Sequence, residues 1–581
     1  MKTVWTFLLA VIVFSPSIGQ VGIGTTSPQG ALDITSTNMG LVMPRVSSFE
    51  AVTDGSGGLP VDGTIVYDQL RNKSCIRIAG KWACTGFNSS GTLVTEEEIP
   101  IDTQNCTYIK ASNTRAQYYF GNTIAMSNDG NYLVIGSARE RSNATGINGD
   151  QTNLSASQAG AAYVFVRSGS NWSQQAYIKA SNTEAQDLFA TSVAINSDGS
   201  RLVIGAIGED SNATGVNGDQ TNNSASFSGA AYVFVRSGST WSQEAYLKAS
   251  NTGSSDSFGN KVSISADGSR IAVSADGEDS NATGVNGNET DNSAFSAGAT
   301  YVFVRSGSTW SQEAYIKASN TESQDYFGRS LALSGDATRL VVGADQEDSN
   351  ATGINGNQAD NSATRAGAAY VFVRTGSTWS QEAYVKASNT EIQDFFANSV
   401  SLDSDGNTMA IGATGEDSNA TGINGNEADN NGFNSGAVYV FSRSGSTWTQ
   451  QAYIKQSNTD PGDNFSINLS LTASGDGLLV GANGEAGYDS GVGGNQSSND
   501  VSNSGAAYLF ERSGSTWSQS LYLKACNVNA GDYFGVGVAL NDAMTYLAVS
   551  ATYEDSSATG INGDLLDNST LDSGAAYVFQ N

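Results

Sequence analysis

The chain has 581 residues, with 57 acidic against 28 basic side chains and a formal net charge of −29. Such a surface disfavours nucleic acid and anionic membranes, and it favours solubility and cations. There is no histidine, which excludes histidine general bases, Ser-His and Cys-His nucleophile systems and His-ligated zinc. Sixty-six glycines, 6 prolines and only 15% charged residues suit turn-rich β structure better than helix bundles.

Residues 1–20 read as a secretory signal. Lys2 is the charged start, Val4–Phe14 the apolar core, and Ser15–Gln20 the small and polar exit. The apolar run is short for a bilayer span, and no later segment is apolar enough to cross one. The expectation is export, to the cell surface or beyond.

Residues 21–88 form a separate β-rich module. They contain Gly-Ile-Gly-Thr-Thr-Ser-Pro (Gly22–Pro28), Gly-Leu-Val-Met-Pro-Arg (Gly40–Arg45) and Gly-Thr-Ile-Val-Tyr-Asp (Gly63–Asp68). These segments resemble the short β modules that precede surface and fibre domains in secreted bacterial proteins and phage tail fibres. The resemblance implies attachment or trimerisation. Within the module, Cys75–Cys84 reads as a hairpin turning at Ala79-Gly80, which pairs Ile78 with Lys81 and sets Cys75 opposite Cys84. An exported protein can keep a disulfide there; two free thiols are the alternative. Cys106 and Cys526 carry no assignment from the sequence. Residues 89–100, polar and acidic at Glu96–Glu98, read as a linker.

From Ile101 to the end one pattern repeats. Gly-Ala-Ala-Tyr-Val-Phe at Gly160 returns, with small changes, at Gly229, Gly298, Gly367, Gly436, Gly505 and Gly574, a step of 69 residues each time. A second marker keeps the same step: Phe120, Phe189, Phe258, Phe327, Phe396, Phe465 and Phe534. One unit contains four strand signals. Thr191–Asn196 alternates, Ser197–Ser200 is a turn, Arg201–Ala206 is a second strand, and Ile207–Ser228 is a polar loop. Gly229–Arg236 is a third strand, apolar on both faces, and the fourth runs around Trp241–Ser250. Four short antiparallel strands per unit make a propeller blade, and a central strand apolar on both sides meets a neighbouring blade on each. Six tryptophans at one phase (Trp172, Trp241, Trp310, Trp379, Trp448, Trp517) are expected to pack between blades rather than to form a sugar platform. The seventh unit stops after its third strand. Thr107–Ser112 matches the missing fourth, so Tyr108–Ala111 is expected to pair beside Ala575–Phe579 and close the ring.

The Phe-Gly marker, the Leu-Val-Ile-Gly-Ala strand and the Gly-Ala-Ala-Tyr-Val-Phe strand resemble FG-GAP repeats, the units of the seven-bladed propeller of integrin α chains. The resemblance covers about residues 101–581. It implies an all-β, seven-bladed propeller that binds other proteins and often holds calcium in the turn between the first two strands. Here those turns, such as Asn196–Gly199 and Ser265–Gly268, carry too few carboxylates for that ion and read as plain hairpin turns.

The loop between strands two and three is the better candidate for chemistry, because loops of this length are uncommon without a role. Asp279, Asn281 and Thr283 place oxygens at alternate positions before a glycine, as in the front half of a calcium loop, and Asp291 is placed to close the shell. The same pattern gives Asp348, Asn350, Thr352 with Asp360; Asp417, Asn419, Thr421 with Asp429; and Asp555, Ser557, Thr559 with Asp567. Blade two keeps Asp210, Asn212 and Thr214 but has Asn222 at the later place. Blades one and six lose the first Asp to Arg141 and Ala486. The alternative is that these Asp, Asn and Thr side chains cap local turns.

Near-identical loops around the ring point to a non-enzymatic propeller binding an extracellular protein or glycan, with possible calcium and an oligomer through the first module as companions. A polysaccharide lyase or hydrolase is the second reading, since a carboxylate pair works without histidine. The divergent blades one and six are where such a pair is sought. A structural subunit of a surface assembly is the third.

Overall fold

The computed structural model describes residues 106–581 continuously and, before them, residues 21–23, 32–34, 45–46, 64–68, 73–78, 81–87 and 93–97. The predicted signal falls outside the described residues. The chain divides into Met1–Pro100 and Ile101–Asn581.

In the first unit, Val21–Ile23 pairs in parallel with Leu32–Ile34. A five-stranded sheet runs in the order Arg45–Val46, Ile65–Asp68, Lys73–Ile78, Lys81–Phe87, Leu93–Glu97. The predicted hairpin register is present: Ile78 faces Lys81 and Cys75 faces Cys84. The side chains of that pair lie outside those described, and so does the expected Cys75–Cys84 bond. Leu93–Glu97 falls inside the stretch read as a linker and adds a fifth strand to the sheet instead. Its Leu-Val-Thr run has the β-branched, apolar character that a strand needs.

The second unit is a propeller of seven antiparallel blades of four strands each, the sixth adding a fifth, Gly491–Val492, beside its fourth strand. Blade two shows the plan: Phe189–Ile195, Arg201–Ala206, Ala230–Ser237 and Thr240–Leu247, each paired to the next. The first strands of neighbouring blades touch all the way round, including the last against the first, so they form the inner ring. Blade seven is completed from the head of the repeat region. Cys106–Ile109 lies antiparallel to Ala575–Gln580, with Tyr108 opposite Tyr577. The predicted closure is therefore present, with the strand two residues earlier than the sequence alone places it.

There is no single central core. Apolar side chains form seven layers, each between two adjacent blades. One layer unites Val203, Val233 and Leu247 of blade two with Ile271, Val273 and Phe303 of blade three. The third strands read as apolar on both faces because both faces are covered. The tryptophans are buried between blades as expected, and most donate their indole N–H to the preceding blade: Trp241 to Gln175 at 2.9 Å, Trp310 to Glu244 at 3.1 Å.

The two sequence markers meet across each blade boundary. Gly229 bridges to Phe258. Its φ is +77°, and a Cβ there would stand 2.1 Å from the Phe258 carbonyl oxygen. Only glycine fits both demands, which is why the repeat keeps Gly and Phe at fixed phases. The covalent tie is Cys106–Cys526, which links the completing strand of blade seven to the end of the fourth strand of blade six across 420 residues.

Candidate functional site

Antiparallel order puts the loops between strands two and three, and the crossovers from strand four to the next blade, on one face. The short turns lie on the other, where Arg236 donates to the carbonyl oxygens of Gly199 and Gly238 and stacks 4.2 Å from the Tyr132 ring centroid. The candidate chemistry is on the loop face.

Each loop begins with a glutamate that does not face water. Glu209 is buried, and its carboxylate accepts from Lys248 Nζ at 2.9 Å, the Tyr246 hydroxyl at 2.8 Å, Asn182 Nδ2 at 3.0 Å and the Ser211 N–H at 3.1 Å. The Tyr232 hydroxyl donates to the other end of Asn182 at 2.7 Å. The ion pair recurs in all seven blades: Lys110–Glu554, Lys179–Glu140, Lys248–Glu209, Lys317–Glu278, Lys386–Glu347, Lys455–Glu416 and Lys524–Glu485. Burial pushes the Lys248 ammonium below its ordinary range, and the Glu209 charge opposes that push. The loop glutamates are thus neutralised inside the fold, and the loop face is less acidic than its sequence suggests.

A second buried acid stands just before most of the Phe markers. Burial lifts Asp187, Asp256, Asp394 and Asp463 to about 7. Asp325 and Asp532 rise to about 8, with the nearby Glu347 or Glu554 charge adding to the effect. In blade one this phase is Tyr118.

The sequence-predicted metal residues sit on this face, and their oxygens serve the backbone. Asp279 Oδ1 accepts the Ser296 N–H at 2.8 Å, seventeen residues on. Asp210, Asp348, Asp417 and Asp555 do the same for Phe227, Arg365, Asn434 and Asp572. The later members cap short turns: Asp291 accepts from Ser293, Asp360 from Ser362, Asp429 from Asn431, and Asp567 from Ser569 and Ser557. Asn212, Thr214, Asn281, Thr283, Asn350, Thr352, Asn419, Thr421, Ser557 and Thr559 are exposed. Among the described residues there is no group of three or more acidic or thiol side chains placed to hold a metal ion. The loop halves do approach, as the Asn350 N–H to Asp360 carbonyl bond shows.

Two groups on the loop face break the seven-fold pattern, and the sequence reading named neither. The first lies between blades seven and one. The Tyr533 and Tyr553 rings are 5.0 Å apart, Tyr553 and Tyr119 are 5.1 Å apart, and Arg139 covers Tyr119 at 4.6 Å. Tyr553 is 40% exposed, and Arg139 is exposed beside it. At the phase of Tyr553 and Arg139, four of the other blades carry glycine: Gly208, Gly277, Gly415 and Gly484. The second lies between blades three and four and contains Lys261, Asp276, Arg329 and Asp345. Aligning the seven units column by column, and asking where a small or neutral column turns charged or aromatic, finds both groups. The tyrosine group draws on blades seven and one, and the charged exceptions are in blades three and four, not in six.

In sequence, the chain matches the FG-GAP repeat family over residues 172–234, 241–303, 310–372, 379–441 and 517–579. Residues 22–92 match a phage tail like trimerisation region. No curated protein matches the chain significantly in sequence. Solved structures of similar shape include hydrazine synthase of Kuenenia stuttgartiensis (11% identity, TM-score 0.41, 76% of this chain and 93% of that one). The periplasmic gluconolactonase of Pseudomonas aeruginosa gives 11% identity and a TM-score of 0.41, over 77% of this chain and 93% of that one. The Cps50 (Swd1) propeller domain of Myceliophteria thermophila gives 8% and 0.41, over 76% and 95%.

Proposed function

Because the chain belongs to the FG-GAP repeat family, we propose that it is an exported, non-enzymatic propeller that binds an extracellular protein or glycan on its loop face. The observation that carries this reading is the tyrosine group of blades seven and one. Tyr119, Tyr533 and Tyr553 stack on one another with partial access to solvent, and Arg139 lies against Tyr119, a grouping no other blade boundary shows among the described residues. Flat aromatic faces beside a guanidinium give contact area at low entropic cost and accept either a sugar ring or a protein side chain. The match of residues 22–92 to a trimerisation region supports several such faces working together, which raises avidity without new contacts.

The test is a protein and glycan array read with calcium and with chelator. It is repeated on Tyr553→Gly, which restores the residue of four sister blades. Loss of the array signal in Y553G supports the site; an unchanged signal removes it. Turnover of any member of a polysaccharide panel would overturn the non-enzymatic half of the proposal. Calcium belongs to the proposal through Asp279, Asn281, Thr283, Asp291 and their counterparts. A rise in Tm at millimolar calcium and fixed ionic strength supports it, and a flat response counts against it.

A further inference from the structure

The charged group between blades three and four is built differently from every sister position. Lys261 occupies a phase held by Ser192, Ser330 and Ser399. Arg329 occupies one held by Asn122, Asn260 and Asn398. Asp276 and Asp345 replace Ala138, Ile207 and Thr414. Lys261 and Arg329 immediately precede the first strands Val262–Ile264 and Ser330–Leu333, and Asp276 and Asp345 immediately follow the second strands Arg270–Ala275 and Arg339–Ala344. These are the loop-face ends of the two innermost strands, so the group lies at the axial opening.

Its hydrogen bonding is incomplete. Arg329 Nη1 donates to Asp276 Oδ2 at 3.0 Å, and Arg329 Nε lies 4.0 Å from Asp345 Oδ2. Asp345 is only 8% exposed, yet its Oδ1 has no donor. Asn260 Nδ2 is buried and has no acceptor. In blades one and five the same amide donates to a carbonyl of the next blade, Asn122 to Ala190 at 3.1 Å and Asn398 to Ser466 at 3.2 Å. The Lys261 side chain has surface open to solvent, and its ammonium makes no ion pair or hydrogen bond among the described residues; the protein crowded around it and the Arg329 charge push it below its ordinary range, while Asp276 and Asp345 oppose that from further off. Arg329 stands 5.8 Å from the Tyr326 ring centroid.

A buried acceptor without a donor, and a buried amide without an acceptor, each cost free energy unless something completes them. The open valences here are of two kinds. Lys261 and Asn260 call for an acceptor, best an anion. Asp345 Oδ1 calls for a neutral donor such as a hydroxyl. Sulfate brings no proton for Asp345, and hydrogen phosphate, which brings one, has no flat ring for the Tyr326 face. A neutral sugar leaves Lys261 unmatched. An amino acid brings a second cation beside Arg329 and Lys261. A hydroxylated carboxylate on a ring meets all the requirements, and the Tyr326 face offers it a flat neighbour.

We propose that this group binds a uronic-acid residue, with the carboxylate on Lys261 and Asn260 and a ring hydroxyl donating to Asp345 Oδ1. The site is separate from the tyrosine group and does not depend on it.

Isothermal titration of the full chain with a galacturonate trimer, and with the same trimer methyl-esterified, tests this. The ester keeps every hydroxyl and removes the charge. Two variants restore sister residues, Lys261→Ser and Asp345→Thr; blades two, four and five hold that serine, and blades five and seven that threonine, at the same phase. The expected result is binding of the acid and at least a tenfold loss with the ester. Each variant should also lose about 10- to 100-fold, the worth of one charge-assisted hydrogen bond, with Y553G unaffected. K261M keeps the aliphatic stem and gives the same readout should K261S not fold. No binding of the acid, equal binding of the ester, unchanged affinity in the lysine variant, a loss in Y553G equal to that in K261S, or equal competition by glutamate would each overturn the proposal.

Discussion

Replacing Lys248 by methionine isolates the buried carboxylate of Glu209. Both charged side chains are 0–1% exposed, so water cannot screen the change. The Tyr246 hydroxyl, Asn182 and the Ser211 N–H still donate to Glu209, but its countercharge is gone. Breaking a buried ion pair from one side costs about 3–5 kcal/mol. Unfolding entropy near 2.1 cal/mol/K per residue gives about 1 kcal/mol/K for roughly 480 residues, so Tm should fall by about 3–5 °C. Differential scanning calorimetry of wild type, K248M, E209Q and the double variant reads the coupling directly. The double variant should recover at least about 2 kcal/mol relative to the sum of the singles. The equivalent change at Lys455 or Lys524 should cost about the same, because those lysines also pair with a buried glutamate and donate to a serine hydroxyl, as Lys248 does to Ser228. A K248M loss under about 1 °C, or strict additivity, would refute the reasoning that these pairs are dry and interdependent.

Removing the Cys106–Cys526 bond with the C106S/C526S pair frees a 420-residue loop in the unfolded chain. The chain-entropy relation sets an upper limit of about 6 kcal/mol, a Tm fall of up to about 6 °C by calorimetry. Asp325→Asn should stabilise the fold increasingly as pH rises. The folded value of Asp325, about 8, lies above its unfolded value, so wild type loses stability between about pH 4 and 8 and the variant escapes that loss; pH-resolved thermal melts check it. Asp279→Ala should lower the exchange protection of the Ser296 amide while Asp279→Asn keeps it, because the amide oxygen still accepts that hydrogen bond; hydrogen exchange followed by mass spectrometry reads the difference.

The propeller was legible because its signals are local and repeated. Gly229 and Phe258 recur at fixed phases because one backbone contact requires both. The completing strand was visible because Thr107–Ser112 copies a motif that the last unit lacks. The strand Leu93–Glu97 was missed because a polar, acidic stretch hides a short β run. The Lys–Glu pairs were missed for another reason. A glutamate opening a polar loop looks solvated, and its lysine lies 39 residues on, at a separation no local pattern reports. The Cys106–Cys526 bond joins residues that only the circular fold brings together. Lys261, Asp276, Arg329 and Asp345 were readable only as departures from their columns, and a reading that looks for what repeats passes over what does not.

The strand Cys106–Ile109 has an implication for how the protein is made. It leaves the ribosome hundreds of residues before Ala575–Gln580, the segment it must sit beside. Until then it has no place in any sheet, while blades one to six can assemble as they emerge. A chain threaded across a membrane head first would carry that segment, and an unmated Cys106 thiol, for the whole passage. Maturation therefore hinges on the delivery of Ala575–Gln580, and removing that strand should leave the molecule as an open arc with its first segment idle.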